Sequence, residues 1–235
     1  MARTKQPVTA RGADASWGLL YRIGGTAAVL SVLLIPIQIA TFIAWPPPEA
    51  IADWFALFRS SWLLGLLSFD LLYLLNNTLL ILIYLALYTA LARANQSLMT
   101  IALVLGLVGI AAYYASNVAF EMLDLSGQYA AATTETERAA VLAAGRALLA
   151  VYTGTAFDVY YVFNAIALLI VAAVMLRSRV FSRATAYSGL VAGILMAAPS
   201  SAGTIGMVFA LASLAPWIVF CILVARRLLQ LGPGA

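Results

Sequence analysis

Residues 62–91 read WLLGLLSFDLLYLLNNTLLILIYLALYTAL, an apolar run that contains one charged side chain, Asp70. A run of about 20 apolar residues is long enough to cross a bilayer as a helix. Within it, FDLLYLLN at 69–76 is matched by FDVYYVFN at 157–164, and both phrases share the pattern F-D-x-x-Y-x-x-N. Asp70 and Asp158 are the acidic residues inside the long apolar runs, where a charge is costly. The two phrases therefore indicate where functional residues lie.

The composition is typical of a polytopic membrane protein. Of the 235 residues, 64% are hydrophobic and 9% are charged, and the mean hydropathy is +1.00. Soluble domains carry about 25% charged residues, so this composition excludes an ordinary soluble fold. The basic residues near the amino terminus precede an apolar run that is too long for the core of a signal peptide. We expect this run to be retained as the first membrane helix.

Residue types that are absent from the sequence or occur only once exclude several classes of function. The sequence has no histidine, which excludes Ser-His-Asp hydrolysis and His-ligated zinc or haem. Lys5 is the single lysine and lies in the tail, so a retinal Schiff base within the bundle is excluded. Cys221 is the single cysteine, which excludes an intrachain disulfide and a thiolate cluster. No cofactor, metal site, ATP site or nucleic-acid surface is predicted.

The predicted fold is an all-α bundle of six transmembrane helices with interfacial helical segments on its outer face. The six spans are 19–43, 62–91, 98–120, 154–176, 184–200 and 204–226. Together they make one transmembrane domain, 19–230, between cytoplasmic tails at 1–18 and 231–235.

The basic residues predict the topology. All Lys and Arg residues except Arg59, Arg138 and Arg146 fall on one side of the six predicted spans. The positive-inside rule then puts both termini in the cytoplasm.

The outer face is predicted to carry additional helices. Three consecutive prolines end the first span, and 49–61 mixes aromatic and charged residues as interfacial helices do. TETE at 134–137 predicts a capping box for another helix. A helix from there to residue 176 would be about 60 Å long, so we expect it to project from the membrane or to break near Gly145 or Gly154.

The sequence also indicates a duplicated hairpin. GLVGI at 106–110 resembles GLVAGI at 189–194, so 62–120 and 154–200 are predicted to be one hairpin used twice in the same orientation. An axis along the membrane normal would relate the two copies. Gly189 and Gly193 have the spacing that favours close packing of helices.

The stretch VMLRSRVFSRATAYSG at 174–189 resembles the corresponding turn of a bacterial family of six-helix membrane proteins, described as a domain of unknown function. The resemblance runs from about residue 21 to residue 229 and includes the acidic segment 134–146. It implies six helices in a bacterial plasma membrane. It implies no chemistry, so no catalytic residue is assigned from it.

Polar side chains on predicted helices two, three and four form the candidate site. Since polar side chains seldom face lipid, we expect them to line a cavity between these helices. The arginines that follow helices two and four place both aspartates near the outer edge of the bilayer, which predicts an outward-facing vestibule beneath 49–61 and 125–150. The candidate ligand-binding residues are Asp70, Tyr73, Asn77, Asn117, Glu121, Asp158, Tyr161 and Asn164.

Two interpretations of the aspartates remain open. In the functional one, Asp70 and Asp158 approach each other, share a proton, and bind a cation or act as a general acid. In the structural one, each carboxyl is held by a Tyr, Asn or Ser on a neighbouring helix, or is neutralised at the rim by Arg59 or Arg146.

Three functional hypotheses follow from these observations. The leading one is a membrane protein that binds or transports a small apolar or cationic molecule in an outward-facing cavity. The first alternative is an acid-catalysed intramembrane cyclase or isomerase of a lipid-like substrate, and the second is a non-catalytic assembly or regulatory partner. The expected partners are the lipid bilayer and a small ligand, with no nucleic acid and with the oligomeric state open.

Overall fold

A computed structural model describes residues 17–232, so most of the predicted terminal tails lies outside the described residues. This part of the chain is helical, without strands. The helices in chain order are α1 Gly18–Ala44, α2 Ile51–Ser60, α3 Trp62–Ser68, α4 Leu71–Leu91, α5 Gln96–Ser116, α6 Ala119–Ala131, α7 Glu135–Tyr152, α8 Thr155–Arg177, α9 Arg183–Leu195 and α10 Gly203–Leu231.

Five helical segments are long and apolar enough to cross a membrane, which supports the predicted class. They are Gly18–Ala44, Leu71–Leu91, Gln96–Ala131, Glu135–Arg177 and Gly203–Leu231. The predicted fifth span, 184–200, corresponds to α9, which has 13 residues. At about 1.5 Å per residue α9 is about 20 Å long, shorter than the ~30 Å hydrocarbon layer. The length of the helices therefore does not confirm a count of six.

The predicted helix 62–91 is wrong as a single element, because it is interrupted at Phe69 and Asp70. Asp70 has φ 62° and ψ 30°, and it is the non-glycine residue with positive φ in the described chain. A left-handed residue cannot continue a right-handed helix, so α3 ends before it and α4 begins after it. Hydropathy cannot reveal such a break, because the apolar character continues on both sides of it.

The predicted span 98–120 is also interrupted, at Asn117. The side chain of Asn117 accepts a hydrogen bond from the backbone N–H of Ala119 at 3.2 Å and donates to the carbonyl of Phe69 at 3.0 Å. This amide therefore satisfies backbone groups at two helix breaks. It ties the end of α5 to the junction between α3 and α4.

The predicted features of 134–154 are confirmed. Thr134 and Glu137 form the capping box at the start of α7. The helix then breaks, since α7 ends at Tyr152 and α8 begins after Gly154.

Glycines let the long helices approach closely. A Cβ on Gly109 of α5 would lie 2.4 Å from Nδ2 of Asn164 on α8. On α9, a Cβ on Gly189 would lie 3.0 Å from Phe220, and one on Gly193 would lie 2.9 Å from Leu169. The close packing predicted for this glycine pair is confirmed.

Four shorter helices, α2, α3, α6 and α7, pack together as a helical cap. Their shared core contains Trp54, Phe55 and Met122, all buried. Phe69 is fully buried at the base of the cap, where its ring centroid lies 4.2 Å from Trp54 and 5.1 Å from Tyr152. The cap is thereby attached to the long helices directly beside Asp70.

Candidate functional site

A cavity of about 550 Å³ lies between α1, α4, α8 and α10, with the cap at one end. Its wall begins at Asp70 and Tyr152 and reaches Tyr84 on α4, about 21 Å further along the helix. Apolar side chains such as Leu80, Leu168 and Trp217 make the deeper part. The volume falls within the range of about 300–1,000 Å³ that is typical of small-molecule sites.

Four polar atoms in the cavity wall have no hydrogen-bond partner within the described chain. They are Oε1 of Gln38, Nε1 of Trp54, Oγ of Ser68 and Oδ1 of Asn76. Trp54 and Ser68 are each 3% exposed, and Asn76 is 9% exposed. Buried polar atoms nearly always have a partner, and these four are shielded from a molecule the size of water here, so a group in the cavity could satisfy them only after a small movement of their side chains.

The unpartnered atoms surround one end of the cavity. The Gln38 amide donates to the carbonyl of Leu67 at 3.5 Å, and Trp54 packs on Phe69. Ser68 is the residue before Phe69 in the chain. Asn76 lies about 9 Å along α4 from Asp70. The cavity therefore has a polar end, next to Asp70 and beneath the cap, and an apolar interior.

Asp70 contributes the carboxyl group at the polar end. It precedes the first residue of α4 and lies outside the five candidate spans. The hydroxyl of Tyr152 donates a hydrogen bond to its carboxylate. Burial raises the pKa of Asp70 to about 6, although the hydrogen bond from Tyr152 acts in the opposite direction.

Tyrosine and asparagine side chains connect α4 with α8 along the same wall. The hydroxyl of Tyr160 donates to the hydroxyl of Tyr73 at 2.9 Å, and the hydroxyl of Tyr84 donates to Oδ1 of Asn164 at 2.9 Å. Nδ2 of Asn164 donates to the carbonyl of Tyr160 at 3.0 Å. This network satisfies these polar groups internally, in contrast to Gln38 and Asn76.

Asp158 lies outside the cavity lining. It is half-buried near the start of α8 and accepts a hydrogen bond from the hydroxyl of Ser201. Each aspartate thus has a partner of its own, Tyr152 for Asp70 and Ser201 for Asp158. This arrangement supports the structural interpretation for Asp158, while Asp70 retains access to the cavity.

The other predicted residues have different positions. Tyr73, Tyr161 and Asn164 line the cavity together with Asp70. Asn77 is fully buried outside the lining, where its amide donates to the carbonyl of Tyr73 at 3.0 Å.

The predicted helix three does not contribute to the cavity. Asn117 joins two helix breaks, and Glu121 is exposed on α6. Predicted helices two and four line the cavity as α4 and α8, and α1 and α10 take the place predicted for helix three.

Sequence reasoning missed several residues of the polar end. Asn76 could have been predicted from the sequence, because it is the last residue of the pattern F-D-x-x-Y-x-x-N at 69–76, as Asn164 is in the second copy. Gln38, Trp54, Ser68 and Tyr152 come from other elements, and no spacing in the sequence connects them to Asp70. Tyr152 is the last residue of α7, at the break before α8, and its hydroxyl donates to that carboxylate.

Comparison with curated proteins and with solved structures gives no match. A family model, described as Domain of unknown function (DUF4386), matches residues 17–232. This match covers every described helix, from α1 to α10. It confirms the resemblance to a family with a domain of unknown function. The chain belongs to the DUF4386 family.

Proposed function

We propose that this membrane protein binds a small amphipathic molecule in the cavity between α1, α4, α8 and α10. The observation that carries the proposal is the set of unpartnered polar atoms at one end of a mainly apolar cavity, whose other polar groups on α4 and α8 are paired with one another. With a small movement of these side chains toward the cavity, a bound polar head would satisfy those atoms, and its apolar body would fill the deeper part beside Leu168 and Trp217.

The polar end favours a head that donates hydrogen bonds. Oε1 of Gln38 and Oδ1 of Asn76 are acceptors without a donor, and the carboxylate of Asp70 adds a third acceptor. Among the unpartnered atoms Nε1 of Trp54 is the donor, and the hydroxyl of Ser68 can serve either way. An alcohol or a protonated amine matches this set better than a carboxylate does.

We also propose six membrane crossings, with both termini in the cytoplasm of a bacterium. In this arrangement α9 and the connection 196–202 together make the fifth crossing. Met196, Ser200 and Ser201 of that connection line the cavity, and irregular backbone at membrane depth is tolerated where it lines a cavity. The one-sided distribution of Lys and Arg supports the same topology.

Native mass spectrometry of the protein released from its own membranes tests the binding proposal. We expect the wild-type protein to carry a small-molecule adduct that Ala210→Trp reduces, because Ala210 lines the cavity and a tryptophan there would fill it. Ala212→Trp is the matched control, since Ala212 is exposed on the same helix outside the lining. Equal adducts on both variants, or none on the wild type, would contradict the proposal.

A further inference from the structure

The cavity has an apolar opening between α1 and α10. Ile39 of α1 and Met207 and Leu211 of α10 line the cavity, yet they are 40%, 50% and 59% exposed. Exposed lining residues mark openings of the cavity: these three mark an apolar one, and Pro47, Thr153 and Ser201 mark another at the cap end. We call Ile39, Met207 and Leu211 the lateral mouth.

The two helices meet at their opposite ends. A Cβ on Gly25 of α1 would lie 2.8 Å from Leu229 and 3.3 Å from the carbonyl of Ala225 on α10. Pro36 lies in α1 between this contact and Ile39, and Pro216 lies in α10 between the contact and Leu211. Proline removes a helical hydrogen bond and bends the helix, so the two halves that carry the mouth are free to diverge.

The mouth lies at a depth where it faces lipid. About 26 Å of helix separates Arg22 from Ile39, and about 22 Å separates Leu211 from Arg226. Both distances fall within the ~30 Å hydrocarbon layer, on the side away from these arginines. Asp70 precedes α4 and Arg93 follows it, and the 21 residues of α4 are about 32 Å long, so Asp70 lies at the edge of the layer.

From this geometry we infer that the ligand is a lipid with one long apolar chain and a small donor head, and that it passes from the outer leaflet through the lateral mouth. The inference rests on the proposed binding function and topology, and it adds the class of ligand and its route. The polar end of the cavity lies at the membrane edge and the apolar part lies within the layer. A bound lipid would therefore keep the orientation that it has in the leaflet.

Photolabelling in vesicles tests the route. The protein is reconstituted into phosphatidylethanolamine and phosphatidylglycerol vesicles that contain a long-chain alcohol with a diazirine in its chain. A water-soluble short-chain diazirine alcohol serves as the comparison probe. We expect saturable labelling of cavity residues by the long-chain probe, and a fall of roughly tenfold in its rate in Leu211→Trp.

Val208→Trp is the matched control for Leu211→Trp. Val208 is 58% exposed on the same helix but does not line the cavity, so labelling should keep its wild-type rate. Leu211→Ala should label at least as fast as the wild type, which keeps the test valid if the tryptophan variant does not fold.

The outcomes separate the route from the binding function. Labelling of the cavity by both probes at rates that Leu211→Trp leaves unchanged would overturn the lateral route while leaving the proposed function intact. Labelling by neither probe in any variant would overturn both. Labelling by the long-chain probe alone, slowed by Leu211→Trp and not by Val208→Trp, is the result that we expect.

Discussion

Asp70 combines a left-handed backbone with a carboxylate that accepts a hydrogen bond from Tyr152. Asparagine tolerates this backbone and can still accept the hydrogen bond. Alanine adopts the left-handed backbone at a cost and has no side-chain acceptor. We expect Asp70→Ala to lower the free energy of unfolding by about 2–4 kcal/mol and Asp70→Asn by less than about 1 kcal/mol. Unfolding in an SDS titration measures both.

Asp158 provides a control for the prediction on Asp70. Asp158 lies within α8 and accepts from Ser201, so Asp158→Ala loses a hydrogen bond without any backbone strain. Its free energy of unfolding should fall by about 1 kcal/mol or less. Equal losses in Asp70→Ala and Asp158→Ala would show that the left-handed junction has no special role.

The raised pKa of Asp70 predicts a pH dependence of stability. The folded protein holds this proton more tightly than the unfolded chain, because the pKa rises from 3.8 to about 6. The resulting stabilisation is complete below about pH 4 and is lost as the pH rises through about 6. SDS titrations from pH 4 to pH 8 should therefore show falling stability in the wild type. Asp70→Asn should lose this part of the slope, and an unchanged slope would contradict the assignment.

At the scale of helices, the contact between α5 and α8 depends on Gly109. A Cβ there would lie 2.4 Å from Nδ2 of Asn164 and 3.3 Å from Cβ of Phe163. We expect Gly109→Ala to destabilise the fold by about 1–3 kcal/mol, since the asparagine is held by hydrogen bonds to Tyr84 and Tyr160. The measurement is again the free energy of unfolding in SDS.

Gly127→Ala is the matched control for this prediction. Gly127 lies in α6, and a Cβ there meets no atom within 4 Å. Alanine should stabilise that helix by about 0.5–1 kcal/mol. A loss of stability at Gly127, or none at Gly109, would contradict the packing described here.

The helices also show which features the sequence could predict. Long apolar runs located the five helical segments that are long and apolar enough to cross a membrane, and the Thr134–Glu137 capping box located the start of α7. The breaks at Asp70 and Asn117 could not be predicted, because each depends on one backbone angle or one side-chain contact.

The cavity wall was only partly predictable for a different reason. Polar residues on α4 and α8 marked half of it, but the apolar side chains that α1 and α10 contribute are indistinguishable by composition from lipid-facing ones. Leu211 and Val208 illustrate this, since they are equally apolar and similarly exposed while only Leu211 lines the cavity. Tertiary contacts alone separate the two kinds of residue.

For the whole molecule, the number of crossings decides on which side α10 ends. Cys221 is the single cysteine and is buried, so cysteines introduced elsewhere report accessibility without interference. With six crossings, a membrane-impermeant maleimide added to intact spheroplasts should label Thr133→Cys. Ala94→Cys and Gln230→Cys should react only after permeabilisation, and all three positions are exposed. Labelling of Gln230→Cys in intact spheroplasts would instead indicate an odd number of crossings.

The central claim is that the cavity holds a small amphipathic molecule, and a density map of the protein purified from its own membranes tests it most directly. We predict elongated density between α1, α4, α8 and α10, with its polar end against Asp70 and Asn76 and its apolar end near Trp217. A cavity that contains only ordered waters, or one closed by the approach of α1 to α10, would contradict the account.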